Sequence, residues 1–145
     1  MQFGWLNLFG AVIVVLLLVP NIVYALRHKQ TPPAACKAFV ILEQIGRYGC
    51  ILFMWLPLFV WEFGFSKSFF LILYLVGSIG LIAAYYVVWL LYARRKTFGR
   101  ALALSILPTM LFLLCGVLLR HVPLIVCAVL FGVGHIGVCC ETQRV

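Results

Sequence analysis

The chain has 145 residues, of which 66% are hydrophobic and 10% are charged, and its formal net charge is +8. A soluble domain of this size could not cover so much apolar surface with polar groups, so the composition excludes a soluble globular protein. The positive charge does not indicate a nucleic-acid partner, because the basic residues flank apolar runs and do not line a polar face. Membrane lipid is therefore the expected surroundings of the chain.

The predicted fold is an all-α, polytopic membrane helical bundle that occupies residues 1–145 as a single domain. A spanning helix needs about 20 apolar residues. Five continuous apolar runs of that length predict transmembrane helices at about residues 5–26, 38–61, 69–92, 101–119 and 122–140. The runs lack the alternation that a membrane β-barrel would show.

The first span, which starts near Trp5, is predicted to stay in the membrane as an anchor. A cleaved signal peptide would carry positive charge before its apolar run, whereas here Arg27 and Lys29 follow the run. Pro20 interrupts this helix and frees a carbonyl one turn earlier. Asn21 is the expected donor to the freed backbone group, since lipid cannot supply one.

The flanking charges predict the orientation of the bundle. With the N-terminus outside, the inner side would hold eight basic residues and the outer side only Lys67 and Arg120. This bias follows the positive-inside rule. The inner eight are Arg27, Lys29, Lys37, Arg94, Arg95, Lys96, Arg100 and Arg144.

Two opposite charges, Glu43 and Arg47, lie inside the second span, although the chain has only three acidic residues. Charges within a membrane-length segment are costly and raise the question of a function. A structural interpretation is equally open, because an i, i+4 pair with Glu first is favourable on a helix. Arg47 could also extend back toward the interface without any ligand.

Every predicted span carries polar side chains in its inner half, so their faces could converge on a pocket that opens toward the cytoplasm. The candidate ligand-binding residues are Arg47, Glu43, His135, Asn21 and Tyr86. His135 shares a helix face with small residues, which favours packing inside the bundle. For Ser105 and Thr109 the default expectation is hydrogen bonding between helices.

Several chemistries lack the residues that they need. The chain has no Asp, so Asp-rich magnesium sites for diphosphates and a Ser-His-Asp triad cannot form, although Glu43 could orient a base. No phosphate-binding P-loop is present. His28 and His121 are predicted on opposite sides of the membrane, so a metal site built from several histidines is not expected. No metal site, cofactor or catalytic residue is assigned; whether the protein is an enzyme stays open, with a non-enzymatic role favoured.

The chain resembles a group of small multi-spanning bacterial membrane proteins that have no assigned function. The resemblance rests on three motifs, Pro20-Asn21-Ile22-Val23-Tyr24-Ala25, Glu43-Gln44-Ile45-Gly46-Arg47-Tyr48-Gly49 and Pro123-Leu124-Ile125-Val126. It implies a location in the bacterial cytoplasmic membrane and nothing about mechanism.

Three functional hypotheses remain open. The first is binding or transport of a small or amphiphilic ligand, which could be anionic. The working form would be a homo-oligomer or a subunit of a larger membrane complex. The second is a membrane-embedded enzyme that acts on a lipid head group or an apolar metabolite, with Glu43 or His135 as acid or base. The third is a structural subunit whose polar residues only hold helices together.

Overall fold

The computed structural model describes residues 6–29, 31–32, 34–56, 58 and 65–144, and these residues form five α-helices and no strand. Each helix is long and apolar enough to cross a membrane. The prediction of an all-α, multi-pass membrane bundle is thereby confirmed. The helices are α1 (Leu8–Arg27), α2 (Lys37–Trp55), α3 (Ser68–Arg94), α4 (Phe98–Leu118) and α5 (Val122–Arg144).

The helix ends differ most from the predicted spans at the ends of α2 and α5. α2 stops at Trp55 instead of continuing to residue 61, and Leu56 is extended, with ψ 126°. The following Pro57 explains the stop, because a residue before proline is disfavoured in helical geometry. α5 continues to Arg144, beyond the predicted residue 140. The predicted boundary residues Trp5, Trp61 and Glu62 lie outside the described residues, as does Pro57 itself.

The five helices close into a ring whose order differs from their order in the chain. Going around the ring, α1 contacts α2, α2 contacts α5, α5 contacts α4, α4 contacts α3, and α3 contacts α1. α2 and α4 also touch across the middle. The most extensive packing is between α2 and α5, so the last helix lies beside the helix that carries Glu43 and Arg47.

Glycines let α2 and α5 approach until their backbones touch. A Cβ atom on Gly46 of α2 would lie 2.5 Å from the Phe131 Cα, and one on Gly134 of α5 would lie 2.7 Å from the Glu43 Cα. Real Cβ atoms do not come so close, so both positions require glycine unless a helix moves. Close approach at small residues is the usual way in which membrane helices gain packing energy.

Asn7 holds the start of α1 against its neighbours. Its side-chain oxygen caps α1 by accepting from the Gly10 N–H, and its Nδ2 donates to the Met54 carbonyl and the Tyr74 hydroxyl, both at 3.3 Å. The Asn7 N–H donates to the carbonyl of Trp55 at 2.9 Å. Asn7 is fully buried. This end of the bundle therefore joins the start of α1 to the end of α2.

The opposite end of the bundle, called the basic end below, holds the C-termini of α1, α3 and α5 and the N-termini of α2 and α4. Here the Cys36 N–H donates to Glu141 at 2.5 Å, which joins the start of α2 to the end of α5. Lys96, in the link that follows α3, lies 5.5 Å from the ring centre of Tyr24 on α1. Arg27, Arg94, Arg95 and Arg100 also lie at this end.

Candidate functional site

A three-residue charge cluster forms where α2 and α5 touch. The Glu43 Oε1 atom accepts from the Arg47 guanidinium on its own helix and lies 2.9 Å from the Nδ1 atom of His135 on α5. The Glu43 side chain is only 8% exposed, whereas those of His135 and Arg47 are 27% and 38% exposed. One buried carboxylate oxygen therefore serves two partners, and the link to His135 was not predicted from the sequence.

The orientation of His135 is fixed from two sides. Its ring stacks on Phe131, with centroids 5.0 Å apart and planes at 17°. Its Nδ1 atom faces Glu43, so Nε2 points away from the carboxylate. A carboxylate that holds one ring nitrogen of a histidine sets which nitrogen carries the proton.

A cavity of about 420 Å³ lies at the centre of the ring, and all five helices contribute to its wall. We call it the central cavity. Most of its wall is apolar, with Val14, Leu17, Ile51, Phe112 and Phe131 among the lining residues. Its polar lining consists chiefly of Asn21, Arg47, Tyr85 and His135. An apolar wall with a few convergent polar groups is typical of sites for small ligands.

A second cavity, of about 360 Å³, adjoins the first toward the basic end and is called the end cavity. It shares His135, Asn21 and Tyr85 with the central cavity, and Glu43 belongs to its lining. Thr31 and Gln143 also line it and lie near the basic end. Arg47 therefore lines the central cavity, Glu43 lines the end cavity, and His135 lines both.

Two of the residues that line both cavities, Asn21 and Tyr85, are joined by a hydrogen bond. The Asn21 Nδ2 atom donates to the Tyr85 hydroxyl at 2.9 Å and to the Leu17 carbonyl at 3.0 Å. Asn21 was predicted to be the donor to the backbone group that Pro20 frees, but that group is the carbonyl of Leu16, four residues before the proline. Asn21 instead ties α1 to α3 at the wall between the cavities.

Tyr86 is the donor that satisfies the carbonyl freed by Pro20. Its hydroxyl donates to the Leu16 carbonyl at 2.7 Å. Tyr86 is not among the residues that line either cavity, whereas its neighbour Tyr85 lines both. The structure thus brings together Asn21, Glu43, Arg47 and His135 from the predicted set and puts Tyr85 where Tyr86 was expected.

Ser105 and Thr109 bond within their own helix. The Ser105 hydroxyl donates to the Ala101 carbonyl at 3.2 Å, and the Thr109 hydroxyl donates to the Ser105 carbonyl at 3.0 Å. The expected bond to a neighbouring helix is present for Ser105, whose hydroxyl also interacts with the Cys139 side chain of α5. Hydroxyl groups in helices commonly bond to the carbonyl four residues earlier, which satisfies them without a partner helix.

The positions of two further residues, Tyr85 and Asn7, can be inferred from spacing in the sequence. Tyr74, Ser78 and Tyr85 are the buried residues of α3, and their spacings of four and seven place them on one helix face. Tyr85 belongs to that buried face and Tyr86 does not. Asn7 precedes an apolar run, which is the position of a helix cap.

No group of three or more His, Cys, Asp or Glu side chains that could hold a metal ion occurs within the described parts of the chain. All six cysteines are described, and none is in a disulfide. Comparisons with protein families, with curated proteins and with solved structures find no match for this chain.

Proposed function

We propose that this chain is a bacterial cytoplasmic-membrane protein that binds, and in an assembled form transports, a small anionic amphiphile in its central cavity. The N-terminus lies outside, the C-terminus lies in the cytoplasm, and the end cavity faces the cytoplasm. A homo-oligomer or a larger membrane complex is the expected working form, because five helices are few for alternating access. No nucleic acid is involved.

The observation that carries the proposal is the position of Arg47 in a mostly apolar cavity. Among the described residues, Glu43 is the single hydrogen-bond partner of its guanidinium, so most of its N–H donors remain available. A guanidinium in apolar surroundings binds an anionic head group through charge-assisted hydrogen bonds, which are stronger than neutral ones. The apolar wall of the cavity would contact the ligand's chain.

Binding of decanesulfonate to protein in nanodiscs tests the proposal. This probe has one apolar chain and a permanent single negative charge, and retention by empty nanodiscs is subtracted. The Arg47→Gln variant should bind it at least about tenfold more weakly. Arg47→Lys should fold but also bind more weakly, since an ammonium group cannot replace the planar guanidinium.

Arg94→Gln is the matched control, because Arg94 is exposed at the basic end and its loss changes the net charge by the same amount. It should bind like the parent. Equal losses in Arg47→Gln and Arg94→Gln would mean that general surface charge attracts the probe. Failure of the parent to retain decanesulfonate above empty nanodiscs would contradict the proposal.

A second candidate function, a membrane-embedded enzyme, is favoured by the Glu43–His135 contact. A carboxylate that holds Nδ1 of a histidine leaves Nε2 to take or give a proton, as in many general bases. In that case Arg47 would stabilise developing negative charge on a lipid head group or an apolar metabolite. Formation of a product from a retained membrane-lipid extract, lost in His135→Gln, would favour the enzyme over the binding protein.

A further inference from the structure

We infer that the central cavity binds a monoanion together with one proton, and that Glu43 releases Arg47 to the anion when the proton arrives. The inference rests on the proposed function, since it takes Arg47 as the ligand's contact. It adds the charge of the ligand, a single negative charge, and the co-substrate, a proton. In a transporter this would be proton-coupled movement of the anion.

The first step of the argument is the charge of the cluster. With His135 neutral, the negative charge of Glu43 and the positive charge of Arg47 cancel. A net charge inside a membrane bundle is costly. A bound monoanion would leave a net charge of minus one, which the uptake of one proton restores to zero. A dianion would leave a net negative charge after one proton, so a monoanion is the matched ligand.

The second step is competition for one guanidinium. Glu43 bonds to Arg47 through the same oxygen that lies 2.9 Å from His135 Nδ1. A ligand anion that approaches Arg47 from the central cavity competes with this carboxylate. A proton shared between Glu43 and His135 removes the negative charge that holds Arg47, or gives Glu43 a cationic partner in His135. In either case the guanidinium is freed for the ligand.

The third step is access. Glu43 lines the end cavity, Arg47 lines the central cavity, and His135 lines both. A proton from the aqueous phase at the basic end therefore reaches the cluster through one cavity, while the amphiphile occupies the other. Asn21 and Tyr85, joined by a hydrogen bond, form part of the wall between the two.

The groups around Glu43 leave few other places for the proton. On α2 its charged neighbour is Arg47, on α5 it faces His135, and Cys139 of α5 lines the same cavity. Tyrosine and cysteine side chains ordinarily titrate above neutral pH, so Glu43 and His135 are the groups left to take the linked proton. The tyrosines of this cavity are Tyr24 on α1 and Tyr85 and Tyr92 on α3, and α4 contributes Ser105, which carries no charge.

The test measures binding of decanesulfonate to the parent protein in nanodiscs as a function of pH. The probe does not titrate in this range, so any pH dependence belongs to the protein. The affinity should rise about tenfold for each unit that the pH falls, which is the signature of one linked proton. A pH indicator in weakly buffered solution should report about one proton taken up per bound probe. Decanol, a neutral probe with the same chain length, should take up none.

The Glu43→Gln variant separates the charge of Glu43 from its shape. The affinity of this variant for decanesulfonate should not change with pH, and binding should take up no proton, because Arg47 is already free. His28→Gln is the matched histidine control and should behave like the parent, since His28 is exposed and its Nδ1 contacts the backbone of its own helix. If Glu43→Gln does not fold, the proton count on the parent protein decides.

The outcomes separate this inference from the proposed function. Decanesulfonate binding without pH dependence and without proton uptake would overturn the inference and leave the binding function intact. Proton uptake that persists in folded Glu43→Gln would overturn the role given to Glu43. If the parent does not bind decanesulfonate, the inference and the proposed function are both wrong.

Discussion

At the scale of single residues, adjacent positions on a membrane helix have different roles. Tyr85 is 2% exposed and lines both cavities, whereas Tyr86, one residue later, bonds to the backbone of α1. A depth estimate along the helix cannot distinguish them, because neighbours differ by only about 1.5 Å in depth and about 100° in direction. The estimated depth in the membrane predicts which layer of the bundle carries polar side chains. The helix face on which each side chain lies determines which of them meet.

Replacement of Tyr86 by Phe should destabilise the protein by about 1–3 kcal/mol, because the Leu16 carbonyl loses its donor in a setting without water. The Pro20→Ala background provides an internal control. Alanine restores an N–H at position 20 that can donate to Leu16, so the cost of Tyr86→Phe should largely disappear there. Thermal unfolding of the four proteins in detergent measures the coupling. Equal costs in both backgrounds would contradict the pairing of Pro20 with Tyr86.

At the scale of helices, the sequence indicates where two helix backbones can approach each other closely, but it does not indicate which two helices are in contact. Gly46 and Gly49 of α2 both lie against α5, at Phe131 and Cys127. A glycine alone is not sufficient evidence, since Gly80 of α3 has open space around its missing side chain. The partner depends on the opposite surface, which a single apolar sequence does not specify because lipid and protein side chains are equally apolar.

We expect Gly134→Ala to destabilise the bundle by about 1–3 kcal/mol, since the added methyl group would meet the α2 backbone. Gly80→Ala is the control with the same chemical change. It should leave stability unchanged or raise it by up to about 1 kcal/mol, because alanine favours the helix more than glycine does. The comparison uses thermal unfolding in one detergent. A Gly134→Ala protein as stable as Gly80→Ala would contradict the backbone contact.

His121 makes the start of α5 sensitive to pH. Its Nδ1 atom accepts from the Leu124 N–H at 3.1 Å, and burial lowers the pKa of His121 below its ordinary value of 6.5. The unfolded chain therefore binds this proton more readily than the folded protein. The stabilising contribution is complete above about pH 6.5 and declines as the pH falls, by at most about 1.4 kcal/mol per pH unit.

The variant His121→Asn tests this sensitivity, because asparagine can cap the helix but does not titrate. Its unfolding temperature should fall less than that of the parent when the pH is lowered from 7 to 5. The other histidines are present in both proteins, so the difference isolates His121. Parallel pH profiles would show that the residue remains neutral in both states or is not buried.

At the scale of the whole molecule, composition and run length were sufficient to predict five helices and one bundle. They could not predict the ring, in which α5 lies between α2 and α4, nor the contact between Glu43 and His135. Those two residues are 92 positions apart, and no local pattern links them. Charge counting predicts an orientation, and the arrangement of the helix ends gives a simple way to test it.

Cys36 is exposed at the basic end and can report the orientation of the parent protein. A membrane-impermeant maleimide should label it in inverted membrane vesicles but not in intact spheroplasts, if the basic end faces the cytoplasm. Cys36→Ser should remove the labelling. Adding Ser66→Cys to that variant should restore labelling from the other side. The opposite pattern would reverse the proposed orientation and the side on which the end cavity opens.

The order of the ring also determines when the bundle is completed during synthesis. α5 is synthesised after α2 and α4, yet it lies between them, so there is an interval in which α2 and α4 are in the membrane without it. His135 is unavailable to Glu43 during that interval. The pairing of Glu43 with Arg47, four residues apart on one helix, lets α2 enter the bilayer with its charges already matched. The ion pair within α2 thus balances the charges of this helix before α5 brings His135 to Glu43.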